Sequence, residues 1–219
     1  DNLQHVQKNR QLVLEALGAG EYFSRLLIPH QVHGSTVVCL SSDTSEAFEQ
    51  AKTEAEACAD AIVCTVQNTP VLLAFADCVP VILVAPGGFA VAHSGWKGTI
   101  ARISACTTEA LCQATGAKPS EVKAYIGPHI GSADYEVSSE LIQMFSQEFG
   151  PDVVDRASGE RYLDLGYAVR AALIDAGVRE SAIEEVPDST ASTTERFFSY
   201  RAEHGKCGRH AAVAYMAVK

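Results

Sequence analysis

FADCVPVILVAPGGFAVAHSGWKG, from Phe75 to Gly98, carries the clearest strand and turn signals of the chain. Two apolar, β-rich runs flank APGG, the pattern of a β-hairpin. If Ala85–Gly88 forms a four-residue loop, Val84 faces Phe89. Cys78 and His93 then lie on one face as diagonal neighbours, within reach of a single ion. A three-residue loop would send them to opposite faces. Beyond His93, SGWKG predicts a strand-to-helix turn. Its two glycines let backbone approach a ligand, and the helix start offers N–H groups to an anion.

Outward from the hairpin, period and turn signals predict strands at Thr36–Leu40, Asp60–Thr65, Val71–Ala76, Val79–Val84, Phe89–Ala92, Val122–Ile126, Ile183–Val186 and Ala211–Val218. A further strand is expected at Tyr22–Ile28, ended by Pro29. Helices are expected at Gln7–Leu17, Ser45–Cys58, Thr99–Thr115, Val137–Phe149 and Leu165–Ala176. Strands come in runs with helices irregularly between them. That predicts an α+β fold with a mixed, largely antiparallel sheet. There is no repeat, and the polar loop PDSTASTT (Pro187–Thr194) is too short for a domain boundary, so residues 1–219 read as a single domain.

A chain of 219 residues, 47% hydrophobic and 20% charged, has the composition of a globular domain. Its net charge of −10 argues against nucleic acid or an anionic membrane as a partner, though a pocket can still be locally positive. Seven cysteines, an odd number without a CxxC, fit free thiols in a reducing cytoplasm. No apolar run is long enough to span a bilayer and no signal peptide is visible; the abrupt opening on DNLQH leads us to expect a lost upstream segment.

His33, in QVHG, is a third candidate ligand. Two imidazoles and a thiolate suit zinc with an open fourth position, where water would titrate near about pH 7. The same set is the equatorial shell of a blue-copper site, which wants an axial methionine; the chain has only Met144 and Met216. Taken singly, each residue has an ordinary reading: Cys78 as a small buried hydrophobe, His33 as a turn residue, His93 as a core histidine.

The motifs QVHG, ADAIVCT, ADCVPVIL, AHSGWKG, IGPHIG with YEV, and FFSYR followed by GRHA occur in one order along nearly the whole chain. In this the sequence resembles the YfiH/FAMIN-type laccase-domain family, whose members are named polyphenol oxidase or purine nucleoside phosphorylase and include peptidoglycan editing factors. The resemblance implies a β-sandwich-like core flanked by helices. It implies a metal site at His33, Cys78 and His93, usually zinc and sometimes copper. The activities it implies are phosphorolysis of adenosine, inosine and methylthioadenosine, and deamination of adenosine, with nucleoside and phosphate as partners. Rivals are a peptidoglycan-precursor hydrolase, a copper phenol oxidase, a metal-binding module without turnover, and a metal-free hydrolase using Cys78 and His93.

Asp77 and Asp60 are candidate acids, bases or partners of a ligand imidazole. Lys97, Arg201 and Arg209 are candidate phosphate binders, and Tyr200, Phe198 and Trp96 candidate walls. The chain departs from the family pattern at Lys97, where Arg is common. His129 stands where a cysteine is frequent and could approach metal or substrate. Ser189-Thr190 replaces a Cys-Thr pair, and the N-terminal segment is reduced to Asp1–Leu3.

Overall fold

In the computed structural model, which describes residues 2–217, the hairpin has the expected register. Strands β4 (Val79–Ala85) and β5 (Gly88–Ser94) pair from Ala85 opposite Gly88 to Val79 opposite Ser94. Pro86 and Gly87 make the turn. Proline presets the first central residue, and glycine takes the left-handed φ of 87° that the second requires. Strand β5 runs past Ala92 to Ser94, so His93 sits inside the ladder opposite Pro80, and Cys78 lies one residue before β4.

The hairpin is the centre of a six-stranded sheet in the order β1-β2-β5-β4-β6-β7, with β1 Val37–Leu40, β2 Ala61–Cys64, β6 Lys123–Ile126 and β7 Ile183–Glu185. The outer pairs, β1 with β2 and β6 with β7, are parallel, and the inner ones antiparallel. A second sheet of β3 (Val71–Phe75) and β8 (His210–Ala214) pairs antiparallel, with Phe75 opposite His210. This is the mixed, sandwich-like architecture expected.

Alternation along β2 and β5 explains the layering. Ala61, Val63, Ala90 and Ala92 face a helical layer with Ile103, Leu111, Phe145 and Leu173. Ile62, Cys64, Phe89 and Val91 face Leu73 and Phe75 of the small sheet and Phe48 and Ala51 of helix α2 (Ser45–Ala57). Both faces are covered, so all seven residues of β5 are buried and the strand reads as a continuous apolar run. The remaining helices are α1 (Leu3–Ala16), α3 (Trp96–Ile100), α4 (Ile103–Thr115), α5 (Ser139–Phe149) and α6 (Leu165–Asp175).

Three expectations need correction. Tyr22–Ile28 is not a strand. Gly20–Arg25 forms a 3-10 turn, and only Leu27 bridges to Val71, because the apolar residues there do not alternate and Pro29 ends the pairing. The helix expected over Thr99–Thr115 is two helices, broken at Arg102, whose φ is 56°. Its guanidinium bonds Glu148 of α5 at 2.6 Å and Asp175 of α6 at 2.8 Å, tying three helices together. The last strand covers His210–Ala214, not Ala211–Val218; Val218 and Asp1 lie outside the described residues.

Arg102 is therefore a stability test. Arg102→Ala loses both ion pairs and keeps a left-handed φ at a residue with a Cβ; a loss of about 1–2 kcal/mol is expected, a few degrees in Tm. Arg102→Gly loses the same ion pairs without the backbone strain, so its melting temperature should fall between those of the alanine variant and the parent. Thermal melts of the three proteins check the order.

Candidate metal centre

QVHG is a turn whose last three N–H groups converge on one carboxylate. Val32, His33 and Gly34 donate to Asp60 at 3.2, 2.9 and 2.7 Å. Asp60 is fully buried at the entry to β2. The turn holds His33 at a φ of 62°, a conformation costing a side-chain-bearing residue roughly 1–2 kcal/mol, which these bonds offset. Gln31 fixes the same turn from its other side. Its amide donates to Ala74 O at 2.8 Å and accepts from Ala74 N–H at 2.9 Å, replacing a strand rung on β3.

Asp60 also holds the second histidine. His93 Nδ1 lies 2.8 Å from its carboxylate, and His93 N–H donates to Asp60 O at 2.7 Å. Desolvation alone would raise the Asp60 pKa. The hydrogen bonds from His93, Gly34 and Val32 outweigh it and hold the carboxyl below its usual range. The ionised partner places the His93 proton on Nδ1 and leaves Nε2 for a ligand.

Cys78 ends the three-residue link from β3 to β4. The link bends at Asp77, whose φ is 79°. The Asp77 carboxylate accepts from Thr190 Oγ1 and from Arg201 N–H, both at 2.7 Å, and its carbonyl accepts from Ile130 N–H at 3.0 Å. Thus Asp60 fixes the histidines, and Asp77 fixes the cysteine against two loops.

The ligand atoms of His33, Cys78 and His93 all lie within 4.8 Å of one another. The imidazoles meet edge to face, centroids 4.7 Å apart. A Cβ on Gly95 would sit 2.7 Å from the His33 ring and 3.2 Å from Cys78 Sγ, so the AHSG glycine is required for all three to approach. Burial first, then Asp77 and Asp60, push the Cys78 thiol up to about 12. Desolvation, then neighbouring His93, hold His33 below its usual value, so its ring is neutral and able to coordinate at neutral pH. Two imidazoles and one thiol, with the outer nitrogen of His93 already bonded to Asp60, fit a zinc-type site.

The three open onto a cavity of about 710 Å3. Asp77, Arg201, Arg209, Trp96, Tyr135 and Tyr200 line it. Arg209 is braced on the carbonyls of Cys207 and Gly208 at 3.2 and 2.7 Å, and Arg201 on Glu136 O at 3.0 Å. The pocket is therefore cationic on an acidic protein.

Other predicted residues lie elsewhere. Asp60 does not line the cavity; of its expected roles it occupies that of partner to a ligand imidazole. Lys97 is exposed, its Nζ 5.4 Å over the Trp96 ring, outside the lining. Helix α3, which carries Lys97, has only five residues, too short to build the aligned dipole expected for an anion. His129 faces a neighbouring cavity of about 490 Å3 beside Asp134, Glu185 and Asp188, with Nδ1 on Gly127 O at 2.9 Å. Only the next residue, Ile130, reaches the first cavity. Gln31, Thr190 and Tyr135 were missed; Gln31 and Tyr135 stand inside quoted motifs, but their roles depend on partners far along the chain.

Asp60→Asn keeps the shape, removes the charge and turns one of the two acceptor oxygens into an NH2 donor. It should destabilise the protein by about 3 kcal/mol, because buried N–H groups and His93 lose their partner. Metal affinity should fall roughly 10–100-fold. Thermal melting and chelator competition measure the two effects.

The whole described chain matches known proteins. Residues 1–217 match the family model described as multi-copper polyphenol oxidoreductase laccase. A purine nucleoside phosphorylase of Deinococcus radiodurans is 36% identical over 217 residues, covering 97% of this chain and 78% of that protein. Adenosine deaminase RL5, from an unknown prokaryotic organism, is 32% identical over 196 residues, covering 85% of this chain and 73% of that protein. The crystal structure of YlmD from Geobacillus stearothermophilus superposes with a TM-score of 0.84 at 28% identity, covering 97% of this chain and 80% of that one. With its His-Cys-His cluster at the mouth of the central hairpin, the chain belongs to the laccase-domain family of multi-copper polyphenol oxidoreductase laccases.

Proposed function

We propose that this protein is a zinc-dependent purine nucleoside phosphorylase with adenosine deaminase activity, acting on adenosine, inosine and methylthioadenosine. The observation that carries the reading is the convergence of three ligand atoms within 4.8 Å beside two braced arginines in one cavity. The names of the relatives support the substrate class.

His33, Cys78 and His93 would hold the metal. When bound, zinc supplies a Lewis acid and makes water a nucleophile at neutral pH. The protein's own groups bind and orient. Arg209 and Arg201 face the cavity as fixed positive charge for phosphate, each braced through one nitrogen on backbone carbonyls. Trp96 and Tyr200 offer π faces at the rim for a purine. Asp77, already accepting from Thr190 and Arg201, keeps the arginine loop and the cysteine in register. Orientation of two bound reactants supplies much of the rate.

Two rivals are disfavoured by particular observations. A metal-free cysteine hydrolase needs a thiolate near neutral pH, and burial pushes the Cys78 thiol up to about 12. A blue-copper centre wants an axial thioether, and neither Met144 nor Met216 lines the cavity.

Zinc-loaded protein given inosine and phosphate should form hypoxanthine and ribose 1-phosphate, and given adenosine should form adenine, inosine or hypoxanthine, read by chromatography. Cys78→Ala should lose more than about 100-fold of each turnover, the scale of a lost catalytic group; full activity in that variant would overturn the ligand assignment. Metal binding should also expel the thiol proton. Because the folded apo-protein keeps Cys78 protonated far above neutral pH, zinc uptake at pH 7.5 should release about one proton from this residue, and affinity should rise as pH rises. Calorimetry in buffers of different ionisation enthalpy measures the count, and Cys78→Ser should lower it by about one.

A further inference from the structure

Tyr135 lines the same cavity and is mounted rigidly. Its N–H donates to Ser132 O at 3.2 Å and its carbonyl accepts from Leu163 N–H at 3.1 Å. The next residue, Glu136, bridges to Tyr162. The ring packs on the helical core, and Arg201 lies over it with Cζ 5.2 Å from the centroid. Arg201 is itself held by Asp77 and Glu136. The ring cannot swing aside without breaking that chain of contacts.

Its hydroxyl has no hydrogen bond to any described residue. The residue is half-buried and faces the cavity, where the hydroxyl is left to bond solvent or a bound molecule. Around it, the Gln31 amide is bonded to Ala74, and the Asp77 carboxylate to Thr190 and Arg201. Tyr200 stands half out in solvent at the rim. As a phenol it carries its proton throughout the neutral range and can donate. An uncommitted donor on a fixed mount, beside the ligand cluster, is complementary to a bound molecule with an acceptor at that point.

We infer that Tyr135 is a catalytic residue of the phosphorolytic reaction, its O–H donating a hydrogen bond to N7 of the departing purine. The inference rests on the nucleoside reading above. In the step, the bond between C1′ and N9 breaks and its electron pair goes to the purine, while a phosphate oxygen bonds to C1′. The proton lost by hydrogen phosphate ends on the purine. Tyr135 is unchanged; its hydrogen bond stabilises charge that grows on the ring as the bond breaks.

The test compares inosine with 7-methylinosine in phosphate, using zinc-loaded parent protein and Tyr135→Phe. The methylated base is already cationic and leaves without a donor at N7. The variant should lose about 100-fold in kcat on inosine, with KM little changed, and under about 3-fold on 7-methylinosine. The ratio of the two rates does not depend on how much of the variant is folded. Equal losses on both substrates, or no loss on inosine, would overturn the role of Tyr135 while leaving the enzyme a nucleoside phosphorylase. A parent protein inactive on both would overturn the nucleoside reading, and this inference with it.

Discussion

One buried carboxylate organises the centre of this protein. Asp60 accepts from three successive N–H groups of the QVHG turn and from His93 Nδ1. A charge with no solvent contact is stable only if every direction is answered by a donor, and here it is. The donors come from segments far apart in sequence, so satisfying Asp60 is the same act as bringing His33 to His93. The bonds also select the backbone conformation of His33 and the free nitrogen of His93.

The rest of the site elaborates that constraint. Asp77 repeats the device on a smaller scale, gathering Thr190, Arg201 and Ile130 around the link that carries Cys78. Gly95 keeps the space between ligands clear. The six-stranded sheet supplies stiffness: β5, buried along its whole length, ends in His93, and β4 begins just after Cys78. Sites on paired strands hold their geometry better than sites on free loops. Local positive charge from Arg201 and Arg209 coexists with a net charge of −10 because both guanidiniums are braced on backbone carbonyls at one cavity.

Much of this was legible in the sequence. The hairpin was legible from two apolar runs around APGG, and one of the two loop lengths weighed there placed Cys78 beside His93; the pairing of Ala85 with Gly88 selects that register. Most strands were found because their period and turn signals are local. Tyr22–Ile28 misled because its residues are β-formers that make one bridge in place of a ladder. The break at Arg102 was invisible because no glycine or proline marks it; acids on two other helices stabilise it. His33 could be joined to the pair only through the family resemblance, since spacing says nothing about a turn that approaches through Asp60. The placement of His129 in the second cavity was likewise beyond reach, because a loop histidine beside two glycines can face either way.

X-ray absorption at the zinc edge of the loaded protein reads whether two imidazoles and one thiolate meet around one cation. The edge should show one sulfur at about 2.3 Å and nitrogen or oxygen neighbours at about 2.0–2.1 Å, with imidazole scattering and no second sulfur. A shell without sulfur, or one unchanged by Cys78→Ser, would contradict that ligand set.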